Sequence, residues 1–171
     1  DFLIYMEKNP NAKVVEMDTV YNDVSNGPFL QTFKFREYDL LICIYQTVKD
    51  SLHMLDGILL LEKILGKEMF EKEVEVILTD RGSEFILAEE AEIREDGMRR
   101  TRMFYCDSMA SWQKGSLENV HLLVREICPK GCDLHALGLT SQEKANLIST
   151  NINSYPKEKL HGRSSIQLLH F

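Results

Sequence analysis

The chain has no apolar run approaching the roughly 18 residues that a membrane-spanning helix requires, and no signal-peptide pattern opens it. No membrane partner is expected, and a cytoplasmic location is. The first residue is Asp1 rather than Met, which points to a fragment whose N-terminal partner domains are missing. Excess positive charge is lacking too, with 20 Lys and Arg against 27 Asp and Glu and a net charge of −7. Duplex affinity comes largely from Lys and Arg neutralising phosphates, so this balance argues against a nucleic-acid surface spread over the whole chain. Basic charge is local, in Arg99, Arg100 and Arg102 and in Lys157, Lys159, His161 and Arg163.

Cysteine is sparse, with four in the chain. Cys43 and Cys106 lie in apolar or aromatic strand-like contexts and read as small core residues. Cys128 and Cys132 form C-P-K-G-C with His135 close behind, but a fourth zinc ligand at ordinary spacing is missing and Pro-Lys-Gly reads as a helix stop. A disulfide is not expected in a reducing cytoplasm either. With 171 residues, 44% apolar and 27% charged, the composition is that of one soluble globular domain.

The organising stretch is Glu73 to Phe85, E-V-E-V-I-L-T-D-R-G-S-E-F. Val74, Val76, Ile77 and Leu78 predict a buried strand that carries Asp80 to its C-terminal edge, where open α/β sheets tend to place their chemistry. A lone Asp there is more often a turn former or a helix cap. Lys13 to Val20, K-V-V-E-M-D-T-V, is a second strand-like run with Asp18 near its end, and Gln113 to Arg125 opens a helix bearing Glu118. Two strand-borne aspartates and a helix-borne glutamate would, if they met, form an oxygen-only site for hard divalent ions of the kind used in two-metal phosphoryl transfer. Glu16 shares strand parity with Asp18, and an outer or solvated role is expected of it.

The remaining elements follow from local pattern. Phe2 to Glu7 reads as a short helix or arm ended by Asn9-Pro10-Asn11. Phe29 to Arg36 and Leu40 to Tyr45 read as antiparallel strands joined by Glu37-Tyr38-Asp39. Asp50 or Ser51 caps a helix whose Leu52, Leu55, Ile58, Leu59 and Leu65 repeat near 3.6 residues and which Gly66 ends. Glu89, Glu90 and Glu92 read as a solvated acidic face. Asp96-Gly97 predicts a hairpin inserted before Phe104-Tyr105-Cys106, whose arginines either reach phosphates or pair with those glutamates. Ser116 is expected to cap a helix reaching Cys128, with His121 and Arg125 on the face of Glu118. Thr140 to Asn153 opens like a capping box, and Tyr155 to Phe171 is a basic tail expected to order only against a partner or DNA.

V-V-E-M-D-T-V, L-T-D-R-G-S-E-F and Y-C-D-S-M-A-S-W-Q-K-G-S-L-E-N together resemble the three signature blocks of IS-thirty family insertion-sequence transposases, within the retroviral integrase-like, ribonuclease-H-fold group. The resemblance runs from about Lys13 to about Ser165. It implies an α/β, ribonuclease-H-like mixed five-stranded sheet flanked by helices, with the hairpin inserted between the second Asp and the Glu. Residues 1–12 would be an arm from N-terminal DNA-binding domains, 13–154 the catalytic core and 155–171 the tail. The implied activity is DNA transposition in a bacterial cytoplasm: cleavage at element ends, then strand transfer, by a Asp18-Asp80-Glu118 triad holding two Mg2+ or Mn2+ ions. Implied partners are the terminal inverted repeats, target DNA and a second copy of the chain. Arg81, Lys114, His121 and Arg125 are the expected DNA contacts. Arg81 stands where the family usually has Asn, and either competes with the ions or holds a phosphate. A ribonuclease-H-like nuclease without strand transfer and a catalytically decayed DNA-binding or assembly module are the alternatives.

Overall fold

The computed structural model describes residues 1–22, 27–82, 87–106, 113 and 115–169. Five strands form one mixed sheet in the order β3-β2-β1-β4-β5. Strands β1 (Val14–Val20), β2 (Phe29–Phe35) and β3 (Leu40–Gln46) are antiparallel neighbours, while β4 (Val76–Thr79) and β5 (Arg102–Tyr105) extend the sheet in parallel from the other edge of β1. Strand β1 is buried at every residue except the partly exposed Asp18. That continuity is what a strand covered on both faces requires.

Strand parity divides the core. Val15 and Met17 on one face pack with Phe33, Ile44 and Ile77 beneath Met54, Ile58 and Leu61 of α2 (Ser51–Leu65). Val20, Leu30, Leu41 and Cys43 on the other face meet α5 (Gly115–Ile127) and α6 (Gln142–Ser154). Helix α1 (Phe2–Lys8) inserts Phe2 among Val14, Val76 and Leu78, so the expected arm packs onto the sheet. The shorter helices α3 (Lys67–Glu73), α4 (Ala88–Glu92) and α7 (Ser165–Leu168) complete the chain. Burial pushes the Cys43 thiol up to about 12, in keeping with an inert core role, and none of the four cysteines is in a disulfide.

Helix α2 lies unusually close to the sheet at Gly57. Gln31 and Gln46 are buried; Gln31 Nε2 donates to Met54 O at 2.9 Å, and Gln46 Nε2 donates to Gln31 Oε1 at 3.0 Å and His53 O at 2.7 Å. A Cβ on Gly57 would stand 1.8 Å from Gln31 Oε1. Buried amides must keep their partners, so glycine leaves them room inside a helix where it is otherwise unfavourable.

The sheet edges are closed by side chains. Along β3, Asn153 of α6 accepts from Leu41 N–H at 2.8 Å and donates to Leu41 O at 2.7 Å. Ser149 Oγ accepts from Cys43 N–H, and Gln142 both donates to Cys43 O and accepts from Tyr45 N–H. Three side chains on one face of α6 thus serve the outward-facing backbone of alternate strand residues. On the opposite edge, Glu92 Oε1 accepts from Met103 N–H at 2.6 Å.

Around Asp96-Gly97 the chain reverses: Ile93 bridges Arg99 in antiparallel fashion, Arg94 N–H donates to Met98 O at 2.9 Å and Arg100 N–H to Glu92 O at 2.6 Å. Glutamates take two of the three neighbouring arginines: Arg99 pairs with Glu92 at 2.8 Å and Arg100 with Glu62 at 2.7 Å. Arg102 lies over the Tyr5 ring instead. Within the tail, residues 155–169 pack on the core: Lys157 Nζ donates to Asp39 O at 2.6 Å and pairs with Asp39 Oδ2 at 2.7 Å, and Ser165 Oγ donates to Asp39 O at 2.8 Å.

That tail completes a buried charge cluster. Lys34 is fully buried in β2, with Nζ 2.5 Å from Asp39 Oδ1. Burial lowers the Lys34 pKa to about 8, against the pull of Asp39 and with Lys157 adding to the lowering. Burial alone would raise Asp39, but its bonds to Lys157 and Lys34 outweigh it and hold the carboxyl below its ordinary range.

Gly57→Ala should lower unfolding free energy by about 1–3 kcal/mol, the cost of overpacking exceeding alanine's helix preference, as read from urea midpoints. The lowered Lys34 pKa means that the unfolded chain binds more protons between about pH 8 and 10.5, so this lysine's contribution to stability rises across that window. The stability of the wild type relative to Lys34→Met should therefore increase from pH 8 to 10.5, measured by denaturant unfolding at each pH.

Candidate active site

Strands β1 and β4 pair in parallel with Val14 opposite Val76, Val15 opposite Ile77 and Glu16 opposite Leu78, a constant offset of 62. The same offset separates Asp18 from Asp80. Both aspartates lie past the last of these pairs, Asp18 within β1 and Asp80 directly after β4. Asp18 is partly exposed and Asp80, which follows β4, is exposed, as is Arg81 beside it.

Helix α5 runs alongside β1 in the same direction and is tied at three heights, to β1, to its neighbour β2 and to the segment that follows β1. Leu117 N–H donates to Glu16 Oε2 at 2.6 Å. One turn later His121 Nε2 meets Thr32 Oγ1 at 2.9 Å, and Thr32 is the β2 residue paired with Asp18. The Thr32 hydroxyl also lies 3.2 Å from Asp18 O, so it links the His121 ring to the Asp18 backbone. A further turn on, Arg125 donates to Asn22 Oδ1 at 2.6 Å, Tyr21 O at 3.1 Å and Cys128 O at 3.3 Å. Glu118 follows Leu117 and is exposed, between the first two ties and at the height of Glu16 and Asp18. Lys114 lies outside the described residues, as do Trp112 and Asp107.

Asp18 thus lies on β1, Asp80 just after the parallel β4, and Glu118 in the first turn of the helix tied to Glu16, but the side chains do not form a cage. Among the described residues no group of three His, Cys, Asp or Glu side chains stands close enough to hold a metal ion. Asp18 Oδ1 is turned back to accept from Thr19 N–H at 2.7 Å. In kind, an all-carboxylate donor set at an open strand edge suits a hard, oxygen-seeking divalent cation and not zinc. The Cys128–Cys132 pair offers no competing centre, since Cys128 is buried and Cys132 exposed.

Sequence reasoning underrated Glu16. It is 1% exposed rather than solvated, with Oε1 accepting from Arg36 Nε–H at 2.5 Å while Oε2 takes Leu117. Arg36 also donates to Gln113 O. Ser116, the expected cap, lies inside α5, and its buried Oγ has no hydrogen-bond partner. The strand parity of Glu16 with Asp18 was the available signal.

Comparison with known proteins follows this geometry. No protein-family model matches the chain. In sequence it is similar to the transposase for insertion sequence element IS1086 of Cupriavidus metallidurans, 37% identical over 68 residues, and to that for IS4351 of Bacteroides fragilis, 26% identical over 87. Those stretches are 40% and 51% of this chain but 19% and 24% of the relatives, so the chain spans a quarter or less of the curated relatives it matches. In structure it is similar to the HTLV-2 integrase catalytic core domain in complex with magnesium, with a TM-score of 0.55, 15% identity, and 92% of this chain and 95% of that one covered. The simian T-cell lymphotropic virus intasome, in complex with a PP2A regulatory subunit, gives a TM-score of 0.65 at 14% identity over 92% of this chain and 54% of that one. The fold is that of a retroviral integrase catalytic core.

Because two of the Arg125 bonds hold α5 against the segment that follows β1 and a third closes the end of its own helix, Arg125→Ala should cost about 1–3 kcal/mol of unfolding free energy, measured by chemical denaturation.

Proposed function

We propose that this chain is the catalytic core of an insertion-sequence DNA transposase in which Asp18, Asp80 and Glu118 act as the catalytic carboxylates. The observation that supports the reading is the parallel β1–β4 register, whose offset of 62 equals the separation of Asp18 and Asp80, beside the helix bearing Glu118. The partial likeness to two insertion-sequence transposases supports the substrate class, and the IS-thirty motif resemblance supports the subfamily. Residues 13–154 form the core in this reading. The arm 1–12 leads from DNA-binding domains that supply the affinity a net charge of −7 does not, and 155–171 are the basic C-terminal tail, of which 155–169 pack on the core.

The three carboxylates would hold Mg2+ or Mn2+, two ions in this reading. The magnesium of the HTLV-2 core supports the choice of metal. When bound, such ions lower the pKa of an attacking hydroxyl and neutralise charge on the leaving oxygen. The first displacement forms a water-oxygen-to-phosphorus bond and breaks the bond to the 3′-oxygen at an element end. That freed 3′-hydroxyl then attacks a target phosphodiester, expelling a second 3′-oxygen. Arg81 and Lys114 would contact the DNA backbone, with His121 and Arg125 at the same edge also keeping α5 in place. Terminal inverted repeats and target DNA are the proposed substrates, a homodimer the proposed active assembly and the bacterial cytoplasm its location. No helix among the described residues is long and apolar enough to cross a membrane.

A catalytically decayed DNA-binding or assembly module is the competing reading, favoured by the Arg81 cation beside Asp80 and by the absence of a three-carboxylate cage among the described residues. Manganese titration in the presence of an element-end duplex separates the two. Wild-type protein should bind the metal and yield nicked and joined DNA, and Asp80→Asn should stay folded while losing both by at least about 100-fold. Metal-dependent nicking by folded Asp80→Asn would remove Asp80 from the site, and no metal binding by wild type with DNA would favour the decayed module.

A further inference from the structure

We infer that Glu16 is a positioning residue, the link that sets the Glu118 helix against the Asp18 strand. The inference rests on the carboxylate site proposed above, and concerns what holds its parts in register.

A helix leaves its first N–H groups without internal partners, and a side chain just ahead of it ordinarily supplies one. Here the Ser116 hydroxyl has no partner, and the acceptor comes from β1, 101 residues away in sequence. A local cap travels with its helix; a cap from another element fixes the helix to that element. Glu16 and Asp18 stand two residues apart on one face of β1, and the bonded amide belongs to Leu117, whose neighbour is Glu118. The tie is therefore one residue from Glu118 at one end and two from Asp18 at the other.

The chemistry suits a rigid link. A buried carboxylate is costly unless its charge is met and its lone pairs are used. Arg36 meets the charge through Oε1, the Leu117 N–H uses Oε2, and the positive end of α5 favours an anion at that place. Arg36 extends the link by donating to Gln113 O, on the approach to the helix. Glu16 takes no part in the reaction itself, since its side chain is buried and both oxygens are occupied.

The test uses the whole chain with Glu16→Gln, which keeps size but turns an amide NH2 toward a donor, and Arg36→Gln as a second, milder variant. Two quantities are read: amide hydrogen exchange over the first turn of α5, and manganese affinity in the presence of an element-end duplex. Exchange at Leu117 and Glu118 should quicken on the order of 10-fold or more, and manganese affinity should fall on the order of 10–100-fold, as for residues that orient metal ligands. Thermal unfolding should remain cooperative. Asp80→Asn, by contrast, should lose manganese and leave α5 exchange unchanged. Unchanged exchange in folded Glu16→Gln, or faster exchange with manganese affinity intact, overturns the inference. If wild type itself binds no manganese, the carboxylate-site reading has failed, and the inference falls with it even where exchange shows Glu16 restraining α5.

Discussion

Pairing on both edges of β1 is the constraint from which the other arrangements descend. Its antiparallel side aligns Asp18 with Thr32 and so gives His121 its anchor, while its parallel side sets the offset of 62 that also separates Asp18 from Asp80. A slip of one residue in either ladder would turn Glu16 and Asp18 to the α2 face, where Met17 and Val15 now pack. The buried apolar pattern of β1 therefore fixes more than stability: it fixes which carboxylates share an edge.

Charge is handled by burial in matched sets rather than by a positive surface. Glu16 with Arg36, Lys34 with Asp39 and Lys157, and Glu62 with Arg94 and Arg100 each join segments distant in sequence. Lys13 bridges Glu73 and Glu37 in the same manner; burial opposes its charge, but the bonds to Glu73, Tyr38 and Glu37 prevail and its pKa is raised. Such pairs gain little net free energy over apolar packing, yet losing one partner is expensive, so they specify where segments dock. Much of the acidic excess that remains is exposed, Glu89 and Glu90 among it.

Local pattern made β2, β3, α2 and the Gly66 stop legible, because each depends on spacing within a few residues. Asp18 and Asp80 were recognisable as strand-end acids for the same reason. Their shared offset was not, since parallel pairing joins strands through an intervening helical crossover and leaves no mark in either one. Glu16 shows the limit more sharply: polar type argued for solvent, parity argued for the helix side, and only the arrival of Leu117 and Arg36 decides between them. Ser116 erred in the opposite direction, as a good cap by type that the start of α5 at Gly115 places inside the helix. The arginines near Asp96-Gly97 had two acceptable partners by charge, and proximity to Glu62 and Glu92 selects one.

The side chains along the outer strands bear on how copies of this protein can meet. Asn153, Ser149 and Gln142 occupy the donors and acceptors that another β-strand would need on β3, and Glu92 does so at Met103 on β5. Strand addition at β3 would have to strip away α6, whose Ile148 and Ile152 belong to the core. Ribbon-like polymerisation through that edge is thus closed off by construction, and a second copy approaching this molecule is directed to its helices and loops.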